Sequence, residues 1–542
     1  MTVRLRLAGP LSFLLVLLEL VLPAGADDRP AISGGETAAD VKWMILIDAG
    51  SSGSRMHVYS YTWAGGDSYP VFQLPDKKLK TKPGLSSFKD NPTAAGASLE
   101  QLVEFAKKTI PAASHAGTSI LVSATAGLRA MPAEKASAIL DNCFAWLKKH
   151  TPFKVQRKGI ALLSGKDEGA LGWLSLNFLG RRLAGMANEK QGTLAGVEMG
   201  GASAQVTFER ALPHNADGAL QEDESDTAYE LPLGSRKTSL YTHSYLNYGQ
   251  EAAREQVSKR LASDSDPCLL KGFSRTGTPP PGASVYEGRS TGAVTGTGDF
   301  AKCRSEVDEI FKEGGGCSVP PCSFGGVHQP GVFEKGLSFV AWENFFHTAR
   351  GAGVEGVDVG VTVKRLEAAG EKQCGKSHTA ADMTNDSMKL CFSLAFLSSF
   401  LHAGLKVPVE KDFKILSAID GNDIEWVLGQ AITHAMAPKS GAQPRQPDVP
   451  EPFTRGVHLA VWGWAAAFAG IIVVVGMVRS ASNWGKVRDN SGGEKDAADE
   501  MELGLLDEES MSKILGGDGG VTLPDRGQTA WNGARGVEVR KR

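Results

Sequence analysis

Apolar residues arrive along this chain in short runs that end at an acid and then a glycine-and-serine turn. The first is Ile45-Leu46-Ile47, followed by Asp48-Ala49-Gly50-Ser51-Ser52-Gly53-Ser54-Arg55; the second is Gly196-Val197, followed by Glu198-Met199-Gly200-Gly201-Ala202-Ser203-Ala204-Gln205. Trp43 to Ile47 with Met56 to Tyr59, and Val197 with Val206 and Phe208, predict that each turn joins two strands. Between them Ser119 to Ala124 predicts a strand that delivers Thr125-Ala126-Gly127-Leu128-Arg129, with a helix expected over Ala133 to Lys148. Ile160 to Leu163 then leads into Ser164 to Leu179, where Leu171, Leu174, Leu176 and Phe178 suit a buried helix with Asp167 and Glu168 in its first turn. Acids in a first turn commonly do no more than complement the helix dipole.

The two ends follow a different pattern. Arg4 and Arg6 precede the apolar run Leu11 to Leu22, and Pro23-Ala24-Gly25-Ala26 follows, so residues 1–26 are expected to be a secretory signal peptide. An uncleaved anchor is the alternative, opposed by the short run and by Glu19 within it. Residues 457–478 are almost wholly apolar, with Trp462 and Trp464 near one edge and Arg479 at the other, which predicts one transmembrane helix. A Pro/Gln/Gly-rich linker at 438–456 isolates it, and the tail at 479–542 is expected to be disordered and cytosolic. The expectation is therefore a single-pass type I membrane protein whose folded part faces the lumen or the exterior.

At 542 residues the chain is too long for one core, and its net charge of −3 argues against nucleic acid as a partner. Six of the seven cysteines, Cys268, Cys303, Cys317, Cys322, Cys374 and Cys391, fall in the second half of the exported region, as expected for disulfides formed in an oxidising compartment. Sequential pairing is expected, with a zinc site at Cys317 and Cys322 as the competing reading, and Cys143 is left as a buried thiol. Asn385-Asp386-Ser387 is one glycosylation acceptor.

The chemistry lies in the repeated turns. Backbone N–H groups freed of side chains make concave anion sites, and an acid at the entrance suits the cation that accompanies a polyphosphate. Taken together, DAGSSGSR from Asp48, ATAGLR from Ala124, SGKDEGALGWLSLNFL from Ser164, GVEMGGASAQVTF from Gly196 and DIEWVLGQAI from Asp423 resemble, in order, the five apyrase-conserved regions of the nucleoside triphosphate diphosphohydrolases. The resemblance spans Val41 to Ala435.

It implies an α/β fold with two lobes of the ribonuclease-H-like, actin/hexokinase/sugar-kinase type and a nucleotide cleft between them. The first lobe would be 40–163 with a return segment at about 424–437, and the second 164–423. By resemblance, Ser51, Ser52, Gly53, Ser54 and Thr125 would contact phosphate from one lobe, and Gly200, Gly201, Ala202 and Ser203 from the other, while Arg55 and Arg129 would neutralise phosphate or orient the acid Glu168. Asp48 and Glu198 would hold Ca²⁺ or Mg²⁺ through water. Glu168 would be the general base and Gln205 would position the attacking water. The expected activity is cation-dependent hydrolysis of terminal phosphates of nucleoside tri- or diphosphates. Three residues depart from the family pattern: Glu198 stands for aspartate, Asp167 for glutamate, and Ala204 for a threonine whose hydroxyl would orient water or phosphate.

Base recognition is expected from aromatic residues of the second lobe, with Trp342, Phe345 and Phe346 as candidates and core packing as the competing role. The sequence leaves open a surface apyrase and a secretory-pathway diphosphatase acting on GDP or UDP. A nucleotide-binding membrane sensor without turnover is opposed by the pair Glu168 and Gln205, and a sugar kinase by the export signals.

Overall fold

The period-two alternation of β1 (Lys42–Ala49) sends Ile45, Ile47 and Ala49 into one apolar cluster and Met44 and Leu46 into another, so this strand is covered on both faces. The computed structural model describes residues 41–50, 52–210, 227–261, 264–275, 293–312, 315, 317, 319–333, 336–377 and 385–437. Residue 40, Ser51, the expected signal peptide at 1–26, the linker at 438–456, the apolar segment at 457–478 and the tail at 479–542 lie outside them. Among the described residues no helix is long and apolar enough to cross a membrane.

β1 pairs antiparallel with β2 (Ser54–Thr62), whose far side carries β3 (Val71–Phe72) and β4 (Lys77–Thr81). On its other edge β1 pairs in parallel with β5 (Ser119–Ala124), and β5 with β6 (Lys154–Leu162). A second sheet repeats the plan. β7 (Ala195–Met199) and β8 (Ser203–Glu209) form the central hairpin, and β9 (Ala228–Leu233) and β10 (Arg236–Leu246) extend the β8 side antiparallel. β11 (Phe339–Glu343) and β12 (Lys414–Ile415) extend the β7 side in parallel. The protein is therefore an α/β fold with two mixed sheets, each extended antiparallel on one side of a central hairpin and parallel on the other, and each glycine-and-serine turn is the tip of that hairpin.

Helices complete the layers. α1 (Glu100–Thr109) and α3 (Ala133–His150) cover the outer face of the first sheet, while α2 (Ala126–Arg129) is one turn after β5. α4 (Gly165–Leu179) lies between the sheets. α5 (Gln250–Arg260), α6 (Phe300–Lys312), α7 (Asn344–Ala352), α8 (Val363–Gly375) and α9 (Asn385–Ser399) contribute to the core on the outer side of the second sheet. α10 (Trp426–Met436) returns to lie beside α4, where both share a core with Met44 and Leu46 of β1 and Val340 and Trp342 of β11.

α4 is buried without a break from Asp167 to Asn177, as a helix enclosed by protein on every side requires. Its approach to α10 is close. The Ser175 hydroxyl donates to the Glu425 carbonyl at 2.6 Å and accepts from the Gly429 N–H at 2.7 Å. A Cβ on Gly429 would stand 2.1 Å from the Leu171 carbonyl oxygen, so only glycine permits this crossing.

Cys268–Cys303, Cys317–Cys322 and Cys374–Cys391 are disulfides, as sequential pairing predicts, and this removes the zinc reading of Cys317 and Cys322. Cys143 is a free thiol enclosed on α3, and burial pushes its pKa up to about 12.

Gly429→Ala is expected to cost about 1–3 kcal/mol through overpacking at the α4–α10 crossing. Denaturant unfolding measures this against Gly375→Ala, where a Cβ meets nothing within 4 Å. Equal stabilities of the two variants would contradict the close crossing.

Candidate active site

Both entrance acids sit on the inner faces of their sheets. On β1 the residues facing outward are Ile45, Ile47 and Ala49, which leaves Asp48 on the side of α4. On β7 Ala195, Val197 and Met199 face the outer core and Glu198 faces α4, where its Oε2 would lie 3.3 Å from a Cβ on Gly172. The longer side chain of Glu198 is thus accommodated against bare helix backbone. In register, Asp48 is paired with Arg55 across the first hairpin and Glu198 with Gln205 across the second.

Glu168, in the first turn of α4, is near enough for its charge to act on both. Its Oε2 accepts from Arg129 Nη2 at 2.8 Å and from Gln205 Nε2 at 3.1 Å. Arg129 is fixed by donating to the Leu163 carbonyl at 2.9 Å and reaches the Ser203 hydroxyl at 3.2 Å. Gln205 Nε2 also lies 2.8 Å from Ser203 Oγ and 3.2 Å from Ser244 Oγ. An arginine after β5, an acid on α4 and a serine and an amide on β8 therefore form one hydrogen-bonded group. Thr125 is buried and supplies the residue before α2.

Asp167 takes another role. It closes the start of α4, where its backbone N–H donates to Ser164 Oγ at 3.0 Å and its carboxylate accepts from that hydroxyl and from the Tyr229 hydroxyl, each at 2.6 Å. Ala204 faces the outer apolar core on the opposite side of β8 from Ser203 and Gln205. Hence the substitution at this position removes no hydroxyl from the site, contrary to the sequence expectation.

The turns are held by different means. A Cβ on Gly53 would meet the Thr81 carbonyl at 2.6 Å, so β4 presses the first turn into shape; Gly53 and Ser54 are buried and Ser52 is exposed. In the second turn the carbonyls of Gly200, Gly201 and Ala202 accept from Gln250, Glu251 and Asn247, each at 2.9 Å. Its carbonyls are committed to the segment that starts α5.

The electrostatics follow from burial. Asp48 is pushed up to about 7, by desolvation first and then by the charge of Glu168. Glu198 is held well above the usual carboxylate range, again by desolvation and then by Glu168, Glu343, Asp48 and Glu425. Glu168 is also raised, because burial outweighs its pairing with Arg129. Asp48 Oδ1 and Glu198 Oε2 are buried without a hydrogen-bond partner. Two orphaned hard oxygens of raised pKa fit a divalent cation. Among the described residues no group of three or more His, Cys, Asp or Glu is able to hold a metal by itself, so water and substrate oxygens would complete the shell.

A cleft of about 430 Å³ is lined in part by Arg55, Lys78, Lys80, Glu343, His347 and Glu425, and of the expected site residues only Arg55 lines it. Sequence reasoning missed Lys78, Lys80, Glu343 and His347, and read Glu425 only as part of the fifth region without a role. Glu343 holds a backbone φ of 59°, uncommon for a residue with a side chain, at the junction of β11 and α7. Two of the three expected base-binding rings are corrected: Trp342 and Phe345 are enclosed in the core and offer no face to a ligand, while Phe346 is half-buried beside Arg350. A smaller hollow of about 60 Å³, lined by Gln250, Glu251, Asn344, Lys389, Phe392 and neighbours, adjoins the second turn, and Gln250 Oε1 is buried there without a partner.

The model of the GDA1/CD39 (nucleoside phosphatase) family matches residues 35–445. The chain belongs to this family. It is an enzyme that hydrolyses nucleoside phosphates. It is 32% identical over 426 residues to probable apyrase 4 of Arabidopsis thaliana, covering 74% of this chain and 80% of the relative. It is 30% identical over 442 residues to the guanosine-diphosphatase of Saccharomyces cerevisiae, covering 76% and 83%. A crystal structure of nucleoside triphosphate hydrolases from Neospora caninum shares the fold, with a TM-score of 0.54 at 18% identity over 73% of this chain and 92% of that one.

The raised Asp48 pKa carries a stability prediction. The folded chain binds this proton more tightly than the unfolded chain, so without divalent cation its contribution is full below about pH 4 and is lost as pH rises through about 7. Thermal unfolding in chelator at about pH 5 and about pH 8 should show a smaller loss in Asp48→Asn than in the natural protein. An identical loss in both would show that Asp48 is not the strained carboxylate.

Proposed function

We propose that this phosphatase removes terminal phosphates from nucleoside tri- and diphosphates by in-line attack of water, with Glu168 as general base. The observation that carries the reading is the buried Glu168 carboxylate, whose Oε2 accepts from both Arg129 and Gln205 and whose charge acts on Asp48 and Glu198, each of which has an orphaned buried oxygen. A base with a raised pKa takes a proton from water more readily than an ordinary carboxylate. The Gln205 amide fixes the orientation of that carboxylate and of the water beside it. The turn 51–54 and the turn 200–203 would cradle the phosphate chain from lobes 40–163 and 164–423, with Arg55, Thr125 and Arg129 opposing its charge. Asp48 and Glu198 would hold Ca²⁺ or Mg²⁺ through water. When bound, such a cation neutralises phosphate-oxygen charge during transfer.

Base recognition is assigned to the second lobe, where Phe346 is the candidate ring left outside the core. Three disulfides support an oxidising compartment, and with the apolar runs at both ends the reading is a type I membrane protein of the secretory pathway or cell surface. Similarity to fungal guanosine-diphosphatases favours a second reading, a diphosphatase acting on GDP or UDP in the secretory pathway. Rates on ATP, ADP, GDP and UDP with each cation separate the two.

Glu168→Gln is expected to keep nucleotide affinity and to lose roughly 10²- to 10⁴-fold in turnover. Phosphate release and equilibrium nucleotide binding measure the two quantities. Near-normal turnover in this variant would refute the base assignment.

A further inference from the structure

Glu425, one residue before Trp426, is a meeting point for side chains of the first sheet. Arg55 Nη1 lies 2.6 Å from its Oε1, while His57 Nε2 and Lys78 Nζ lie 3.4 and 3.6 Å from its Oε2. His57 is fully enclosed, and its other ring nitrogen is 2.8 Å from Asp76 Oδ2, so the ring has no room to leave. Lys78 is paired with Asp423 as well. From behind, the Glu425 carbonyl accepts the Ser175 hydroxyl of α4, and α10 begins at the next residue. This is a carboxylate fixed on every side.

Arg55 is the member of the group with freedom. It follows the first turn directly, its side chain is 31% exposed on the cleft, and Glu425 is its one ion-pair partner among the described residues. The guanidinium has five donors and Glu425 occupies one of them through Nη1. Released, so long a side chain spreads over many rotamers, and ordering it again on substrate binding costs affinity. The Glu425 charge by itself opposes an anion. Lys78, within 4 Å of the other carboxylate oxygen, Oε2, offsets that charge, so the geometric effect decides.

We propose that Glu425 is a positioning residue for the hydrolysis: it holds the Arg55 guanidinium at the cleft with its remaining N–H groups presented to the phosphate chain. The inference rests on the reading above that Arg55 contacts phosphate. It adds a residue outside the motif that contains Arg55 and predicts a particular kinetic pattern. Glu425 acts on binding through Arg55 and makes no direct contact with the water-activating group at Glu168.

Steady-state hydrolysis of GDP and ADP in excess Mg²⁺ or Ca²⁺ by Arg55→Ala, Glu425→Gln and the double variant tests this, with thermal unfolding run on each. Glu425→Gln should raise KM roughly 10-fold, the loss of one charge-assisted contact, and change kcat by less than about twofold. In the Arg55→Ala background the same substitution should change KM by less than about twofold, because the group it positions is gone. A KM increase of the same size in both backgrounds, or a fall in kcat without a change in KM, overturns the proposal. If Arg55→Ala leaves KM unchanged, the phosphate role of Arg55 fails; if Arg55→Ala raises KM and Glu425→Gln does not, the positioning role alone fails. Should Glu425→Gln unfold, Arg55→Lys replaces it: a lysine lacks the fork that bonds carboxylate and phosphate together, so KM should rise nearly as far as in Arg55→Ala, and a natural KM would overturn the inference.

Discussion

Three buried carboxylates, Asp48, Glu168 and Glu198, share one electrostatic environment between two sheets, and of these only Glu168 is ion-paired with the protein among the described residues. Charges without counterions in a poorly solvated place raise one another's pKa and oppose folding. A cation and a polyphosphate relieve that cost, so the strain that weakens the empty protein is also what favours the ligand. The cost is sustained because the acids stand on the inner faces of strands whose outer faces are packed into apolar cores.

Duplication explains how both acids reach the same place. Each sheet is built around a hairpin whose first strand ends in an acid and whose turn is small enough for backbone to approach a ligand. Parallel strands on one side and antiparallel strands on the other repeat in both. α4 and α10 then separate the sheets by one layer of helices, and the Gly429–Leu171 contact keeps that layer thin. The departures from the family pattern are absorbed in the same way: Glu198 rests against Gly172, and Asp167 is used up in capping α4 and accepting from Tyr229.

Much of this was legible in the chain itself, for a local reason. Turns and strand alternation involve neighbours within ten residues, so Gly50 to Ser54, Gly200 to Ser203 and the buried helix after Ser164 announce themselves by composition and period. Sequential disulfides were legible because short loops keep cysteines near one another. The alternation of β8 also held the answer about Ala204, since Ala204, Val206 and Phe208 share one face and Ser203, Gln205 and Thr207 the other.

Tertiary structure alone decided the rest. An aromatic run reads the same whether its rings face a ligand or a core, and only packing placed Trp342 and Phe345 inside. Glu425, Glu343 and Lys80 come from three separate segments of the chain, and no local pattern connects Arg55 to an acid 370 positions later. Sequence determined which chemical groups the protein owns and the turns that carry them, because those depend on short-range geometry. Which of those groups share a charge environment was settled only when α10 returned to the first sheet, because electrostatic interaction depends on distance in space and not along the chain.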